Sequence, residues 1–365
     1  MANNKTILKR VLLSLLSIFI TLILVVGGYL CYVIFSYSRI EDKLALAVTN
    51  KNINSSVNTG TEYTIFSQNL GFGAYTADFT FFMDGGTESR AKSEESVISC
   101  INQGANKASS FNPDFILFQE VDTDSTRSYH TNQADILTEK FNTYSSVFAV
   151  NYHSAFLMYP IFNPHGKSNS GILTLSKTDI TSSTRRSLPI STSLSKFLDL
   201  DRCYSVSRIN ISGGKELVIY NVHMSAYGGS PEIRTAQMTM LFDDMQSEYD
   251  KGNYCICGGD FNHDFTGNST QALNDGESAD FGWAQPFPAN LIAKYAGISR
   301  AMNYTCGEQK PTCRNCDIPY QEGNFTIIVD GFLVSANVTV TYLENVQTGF
   351  VYSDHNPVVM KFILN

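Results

Sequence analysis

The sequence predicts an α/β protein, its sheets covered by helices, carried behind one N-terminal membrane-spanning helix. Three observations lead there. Residues 11–36 carry no charge. Beyond them, short β-branched and aromatic runs alternate with longer segments of helical or turn character. Several of those runs are apolar throughout, as expected of strands buried on both faces of a sheet with helical crossovers. No segment inside 62–365 has the composition of a linker, so those residues are read as one domain.

The first element is the uncharged run VLLSLLSIFITLILVVGGYLCYVIFS. Roughly 20 apolar residues cross the hydrocarbon core as a helix, and the apolar part of a signal peptide is only about 7–15 residues long. Residues 11–36 are therefore assigned as a transmembrane helix and as the chain's contact with the membrane. Lys5, Lys9 and Arg10 precede it, while Arg39 and Lys43 follow beside Glu41 and Asp42. This bias puts residues 1–10 in the cytoplasm and the rest outside, as a single-pass protein of the cell membrane. A cleaved signal peptide is the rival reading. Ala45-Leu46-Ala47 has the small-x-small form, but four charged residues separate it from the apolar run. Residues 37–61, largely polar and without strong periodicity, are read as a tether.

Within the domain, the clearest strands are Tyr63–Ser67, Phe115–Phe118, Gly171–Leu175, Val206–Ile211, Leu217–Asn221, Tyr254–Cys257, Phe325–Val329, Val338–Leu343 and Val358–Leu364. Helical candidates are Ser93–Ser109, Thr131–Phe141 and Pro231–Tyr249. Hydrophobic content of 43% with 16% charged residues fits a globular chain. A net charge of -8 argues against a broad basic footprint for nucleic acid. It does not exclude a phosphate-bearing substrate, because a bound metal supplies positive charge locally.

One pattern recurs four times: an apolar strand ends, and a polar group able to bind metal or move a proton follows. TIFSQ delivers Asn69, FILFQ delivers Glu120, LVIYNV delivers His223, and YCICGG delivers Asp260 with Asn262. Sites in such sheets form at the carboxyl ends of strands. Gly258 and Gly259 allow a sharp turn and a close backbone approach. Asp260 and Asn262, two apart, point to one side of an extended stretch, so a carboxylate and an amide can orient one water. Ser353-Asp354-His355-Asn356-Pro357 sets a hard oxygen ligand beside an imidazole. Val329-Asp330-Gly331 supplies another acid, and an Asp bonded to a His ring fixes its tautomer and favours its protonated form.

Gln68-Asn69, Gln119-Glu120, Asn221-Val222-His223, Gly259-Asp260-Phe261-Asn262, Val329-Asp330 and Ser353-Asp354-His355-Asn356-Pro357, in this order, resemble the endonuclease/exonuclease/phosphatase superfamily. The resemblance covers about residues 62–365. It implies a four-layer α/β sandwich, two packed mixed sheets flanked by helices, and a metal-dependent phosphoric ester hydrolase. It further implies that Glu120 is the principal Mg²⁺ ligand, with Asn69 shaping the metal and phosphate site and Asp354 in the metal shell or at a second metal. Asp260, steadied by Asn262, orients or deprotonates the attacking water. His355, paired with Asp330, contacts the scissile phosphate, and His223 assists the leaving oxygen. Oxygen-rich ligation suits Mg²⁺ or Mn²⁺.

Among phosphoesters, nucleic acid comes first, which would make the protein an extracytoplasmic nuclease. A phospholipid headgroup, as for sphingomyelinases, is second, weakened by the lack of a further hydrophobic hairpin. An inositol or sugar phosphate is third. A non-catalytic surface binding module is the reading of another class, and no obligate protein partner is inferred. Arg90, His153, His165 and Lys167 are candidates to line the cleft, and Arg208 reads as an ion-pair partner. The spacing of Cys306, Cys313 and Cys316 allows one bridge among them in an oxidising compartment, whereas a zinc knuckle lacks a fourth ligand nearby. Cys255 and Cys257 read as buried thiols.

Overall fold

The apolar runs pair into two seven-stranded mixed sheets, in a computed structural model that describes residues 2–51, 56–193, 196, 201–227, 229–276 and 285–365. One sheet is ordered Leu44–Ala45, Ser182–Ser187, Cys203–Asn210, Glu216–His223, Tyr254–Asp260, Asp330–Ser335 and Ile298–Arg300. The other is ordered Val338–Asn345, Val358–Leu364, Glu62–Asn69, Phe115–Asp122, Gly166–Ser176, Ser145–Leu157 and Val48–Thr49. Within these two sheets, among the described residues, only two pairs are parallel: Glu62–Asn69 with Phe115–Asp122, and Glu216–His223 with Tyr254–Asp260. Both lie centrally, so their carboxyl ends meet at one edge of the sandwich.

Facing side chains of the two sheets, among them Ile65, Phe115, Leu117, Ile219, Ile256, Phe332 and Met360, form the inner core. The helix Pro231–Asp250 covers the outer face of the first sheet through Met238, Leu241, Phe242 and Met245. Glu94–Ser110 and Gln133–Lys140 cover the second through Val97, Ile101, Ala105 and Leu137. Helix, sheet, sheet and helix make four layers, as the resemblance implied. The predicted helices stand within two residues of their expected ends, and their starts have a local cause: the Ser93 and Ser230 hydroxyls each accept a first-turn backbone N–H.

The strands differ from expectation in three places. Ser145–Leu157 alternates buried and half-buried along much of its length and lacks the continuous apolar run that marks the others. Ser182–Ser187 is a polar strand near the sheet edge. Phe325–Val329 is only a two-residue pairing at Thr326–Ile327, and the chain re-enters the sheet at Asp330.

The N-terminal helix runs Ala2–Phe35, is long and apolar enough to cross a membrane, and has no part of its apolar window buried against the domain. Within residues 37–61, read from the sequence as a tether, the described residues make specific contacts with the domain. Asp201 gathers the Tyr37 hydroxyl at 2.8 Å, the Arg39 guanidinium at 2.9 Å and the Ile40 N–H at 3.0 Å. Asp42 pairs with Arg186 at 3.0 Å. Leu44–Ala45 and Val48–Thr49 then add an edge strand to each sheet, and Val57 is fully buried between them. Main-chain pairing with strands distant in sequence, invisible to local periodicity, docks this segment.

Candidate active site

The carboxyl ends of the two parallel strand pairs build the floor of a cleft. Asn69 lies opposite Gln119, and Asp260 lies opposite both His223 and Asp330 in register. Two buried amides lock the sheets together beneath: Gln119 Nε2 donates to Asn221 Oδ1 at 2.7 Å, and Asn221 Nδ2 donates to the Leu173 carbonyl at 3.1 Å. Gln119 and Asn221 thus hold the floor without facing it.

Backbone strain aims two of the floor residues. Glu120 sits in a bulge between Phe118 and Val121 with φ +52, and Asn262 has φ +49. Such left-handed conformations cost of order 1–3 kcal/mol in non-glycine residues. Gly259 has φ +144, and a Cβ there would stand 2.0 Å from the Val222 carbonyl oxygen. Only glycine lets the strand carrying Asp260 approach its parallel neighbour so closely.

Asp260 is fully embedded in donors. Its Oδ1 accepts the Asn262 backbone N–H at 2.8 Å, and its Oδ2 accepts Asn69 Nδ2 at 3.1 Å. Burial pushes its carboxyl up to about 6, with Asp330 adding to the rise and the His355 ring opposing it. His355 Nδ1 donates to Asp330 Oδ2 at 2.8 Å, while its Nε2 lies 3.9 Å from Asp260 Oδ2. Burial disfavours a charged ring here, yet the Asp330 carboxylate overrides it and holds His355 well above the usual imidazole range. The loop carrying His355 is tied down by Ser353, whose hydroxyl donates to the Asn69 carbonyl at 2.9 Å and accepts the His355 N–H at 3.1 Å. Gln68 Nε2 donates to the His355 carbonyl at 3.1 Å.

His223 lies 3.4 Å from Asp260 Oδ2 and 3.8 Å from Glu120 Oε1 through Nε2. The same nitrogen accepts from Arg202 at 2.8 Å. Burial, Arg202 and His355 hold it neutral, well below the usual range. Asn69, expected as a metal ligand, presents nitrogen to the acids instead. Its Oδ1 accepts the Gly71 N–H at 2.9 Å, leaving Nδ2 to bridge Glu120 and Asp260 at 3.3 and 3.1 Å. It orients two carboxylates.

Glu120 and Asp354, both implied by the resemblance as metal ligands, line the same cleft. Burial, with the Glu120 and Asp84 carboxylates nearby, pushes Asp354 up to about 7 against the opposing His355 and Arg314. A cation between these oxygens would relieve that repulsion. Asp260, Asp330 and His355 also crowd together, with the His355 ring already engaged by Asp330.

The walls contain residues that sequence reading missed. Arg127 is held by both Asp122 oxygens at 2.8 and 3.0 Å and stacks on Phe72 at 3.9 Å. Arg202, Arg314, Tyr75, Tyr152, Tyr227 and Asp84 line the same cleft. Asn151 Nδ2 and Ser170 Oγ face it fully buried and without a hydrogen-bond partner. Of the weaker candidates, His165 lines the cleft, its Nδ1 against the Ser89 carbonyl at 2.9 Å. Arg90, His153 and Lys167 are directed elsewhere, to the Pro164 carbonyl, Asp201 and Asp124. Arg208 pairs with Glu216 and Glu248 as expected. No cysteine is bridged: Cys306 is exposed, whereas Cys313 and Cys316 are buried beside Asp354. All three thiols are free, so the bridge that the spacing allowed is not formed in this structure.

The profile of the Endonuclease/Exonuclease/phosphatase family matches residues 93–355. A search of curated proteins by sequence found no match. Solved structures share the fold. The human nocturnin catalytic domain, which holds a sulfate anion, is 16% identical over 88% of this chain and 98% of its own, with a TM-score of 0.51. An endonuclease/exonuclease/phosphatase from Bacteroides vulgatus is 14% identical over 84% and 100%, with a TM-score of 0.52. ANGEL2, described as a 2',3'-cyclic phosphatase, is 14% identical over 87% and 98%, with a TM-score of 0.53.

Proposed function

The chain belongs to the endonuclease/exonuclease/phosphatase family and is a phosphoric ester hydrolase; from that premise we propose that it is a Mg²⁺-dependent phosphodiesterase, anchored by residues 11–36 with its catalytic domain outside the cytoplasm. The observation that carries this reading is the convergence on one floor of Asp260, the His355–Asp330 pair and Glu120.

Asp260 is the general base. Its carboxylate takes a proton from the attacking water, and a carboxyl raised towards neutrality is the better base there. Asn262 and Asn69 fix the direction of its lone pairs. His355, cationic and held by Asp330, donates from Nε2 to a phosphoryl oxygen as charge grows on it. His223 faces the cleft as a hydrogen-bond acceptor, so its part is to hold Arg202 towards the phosphate instead of giving a proton to the leaving oxygen. Glu120 and Asp354 would hold the metal, which when bound neutralises phosphoryl charge. Mn²⁺ suits the same oxygens.

The cationic wall of Arg127, Arg202 and Arg314 supports a nucleic-acid strand as substrate, the first choice from sequence. A phospholipid headgroup is the second reading, favoured by an apolar hairpin beside the anchor. The test is an assay of the full chain in vesicles, with Mg²⁺ or EDTA, against DNA, RNA, sphingomyelin and inositol phosphates. EDTA-sensitive cleavage lowered about 10²–10⁴-fold by Asp260→Asn is expected. Cleavage indifferent to both would remove the assigned base and the metal.

A further inference from the structure

The strands Ser145–Leu157 and Gly166–Ser176 form a hairpin whose tip carries exposed apolar side chains. Tyr159 is 68% exposed, Ile161 73% and Phe162 fully so, with Met158 half exposed beside them. This exposure is not that of a loose loop. The His165 N–H closes the tip onto the Tyr159 carbonyl at 3.0 Å. On the polar side, Arg90 Nε donates to the Pro164 carbonyl at 2.6 Å and the Ser89 hydroxyl donates to the Asn163 carbonyl. The backbone is pinned, and the apolar side chains are turned outward. Such a cluster in water marks an interaction site.

What it meets follows from its neighbour. The Tyr29 hydroxyl donates to the Phe156 carbonyl at 3.2 Å and accepts the Met158 N–H at 2.9 Å, and the Tyr32 hydroxyl accepts the Phe156 N–H at 3.1 Å. The N-terminal helix is thereby fastened to the hairpin at a known height. From Val11, the first residue past the last charge, to Tyr29 the helix rises roughly 27 Å, close to the ~30 Å of a hydrocarbon core. Tyr29 and Tyr32 fall at the outer boundary, where tyrosines concentrate. We propose that residues 158–162 insert into the outer face of the lipid bilayer beside the helix, as a second membrane contact; this rests on the reading that the helix spans.

The contact bears on the site. Tyr159 packs on Phe82 at 5.7 Å between ring centroids, and Phe82 packs on Phe81 at 4.9 Å and His165 at 5.9 Å. Phe81 and His165 line the cleft. An apolar ridge therefore runs from the inserted tip to the cleft wall and holds the cleft mouth at the headgroup layer.

The test uses the full chain in phosphatidylcholine vesicles with bromine on the acyl chains, which quench tryptophan. The single Trp283 is replaced by Phe, and tryptophan is placed at Phe162→Trp or, as control for the span, at Leu22→Trp. Unchanged turnover of a soluble phosphodiester, bis(p-nitrophenyl) phosphate, shows that each variant is folded. Quenching at both positions is expected. Quenching at Leu22→Trp alone leaves the span intact and overturns the inserted tip. Quenching at neither overturns the span and the tip with it. A blue-shifted but unquenched Phe162→Trp places the tip against protein and also overturns the proposal.

Discussion

On the cleft floor, Asn69, His223 and Asp260 stand at the ends of strands paired in register, with Glu120 in the adjoining bulge, whereas the walls draw Arg127, Asn151, Arg202 and Arg314 from segments far apart in the chain. The two regions also satisfy their polar groups differently. The Asp260 and His355 side chains are bonded within the protein, although His223 Nδ1 and Asp330 Oδ1 lack partners, while on the walls Asn151 and Ser170 keep donors unpaired. A floor whose base and imidazole are aimed by the protein is suited to chemistry common to phosphoesters. A wall with open donors is suited to choosing among them.

The sharpest way to break the floor is Gly259→Ala. The new methyl would collide with the Val222 carbonyl, and a loss on the order of 4 kcal/mol is expected in a denaturant titration; a loss under 1 kcal/mol would show that the strands can part without harm. Next comes Asp330→Asn, which leaves the His355 ring in place without its counter-charge. Turnover should fall about 10²-fold with the melting temperature little changed, and an unaltered rate would deprive the pair of its role. Asn151→Ala probes the wall. It should raise KM about tenfold, the worth of one buried hydrogen bond near 1.4 kcal/mol, and leave kcat alone; a fall in kcat instead would move Asn151 to the floor.

The mildest expectation concerns pH. Burial lowers His263, just behind the floor, to about 4, with the Phe261 carbonyl opposing. The folded ring stays neutral while the unfolded one takes a proton below about 6.5. Stability is therefore unaffected above 6.5 and declines as pH falls from there to 4, by about 1.4 kcal/mol per pH unit. His263→Gln should flatten that slope in urea midpoints measured from pH 7 to 4.5, and an identical slope would assign it to other groups.

The floor was legible because its signals are local. Gly259-Asp260-Phe261-Asn262 and Ser353-Asp354-His355-Asn356-Pro357 each pack a turn, an acid and an amide or imidazole into five residues. Their spacing reports a geometry that survives folding. The walls gave no such signal. Arg127 or Asn151 reads as a surface residue until tertiary packing buries it, and nothing local in the sequence tells that Arg202 meets His223. The apolar hairpin, thought absent, was hidden because Met158-Tyr159-Pro160-Ile161-Phe162 is short, broken by proline and without period. The sequence places Asn69 at the site, but which amide atom faces the acids depends on Gly71.

If the N-terminal helix spans a membrane as proposed, the grip of Asp201 on residues 37–40 and the strand pairing of 44–49 remove slack between anchor and domain. A catalytic domain on a loose leash would sweep a hemisphere many tens of ångströms deep. One gripped at its first residues after the helix patrols a thin slab at fixed altitude and finds substrate by sliding sideways in the plane. For such an enzyme a substrate lying in the plane would be counted in molecules per unit area, and one dissolved above it would be met only where it enters that slab.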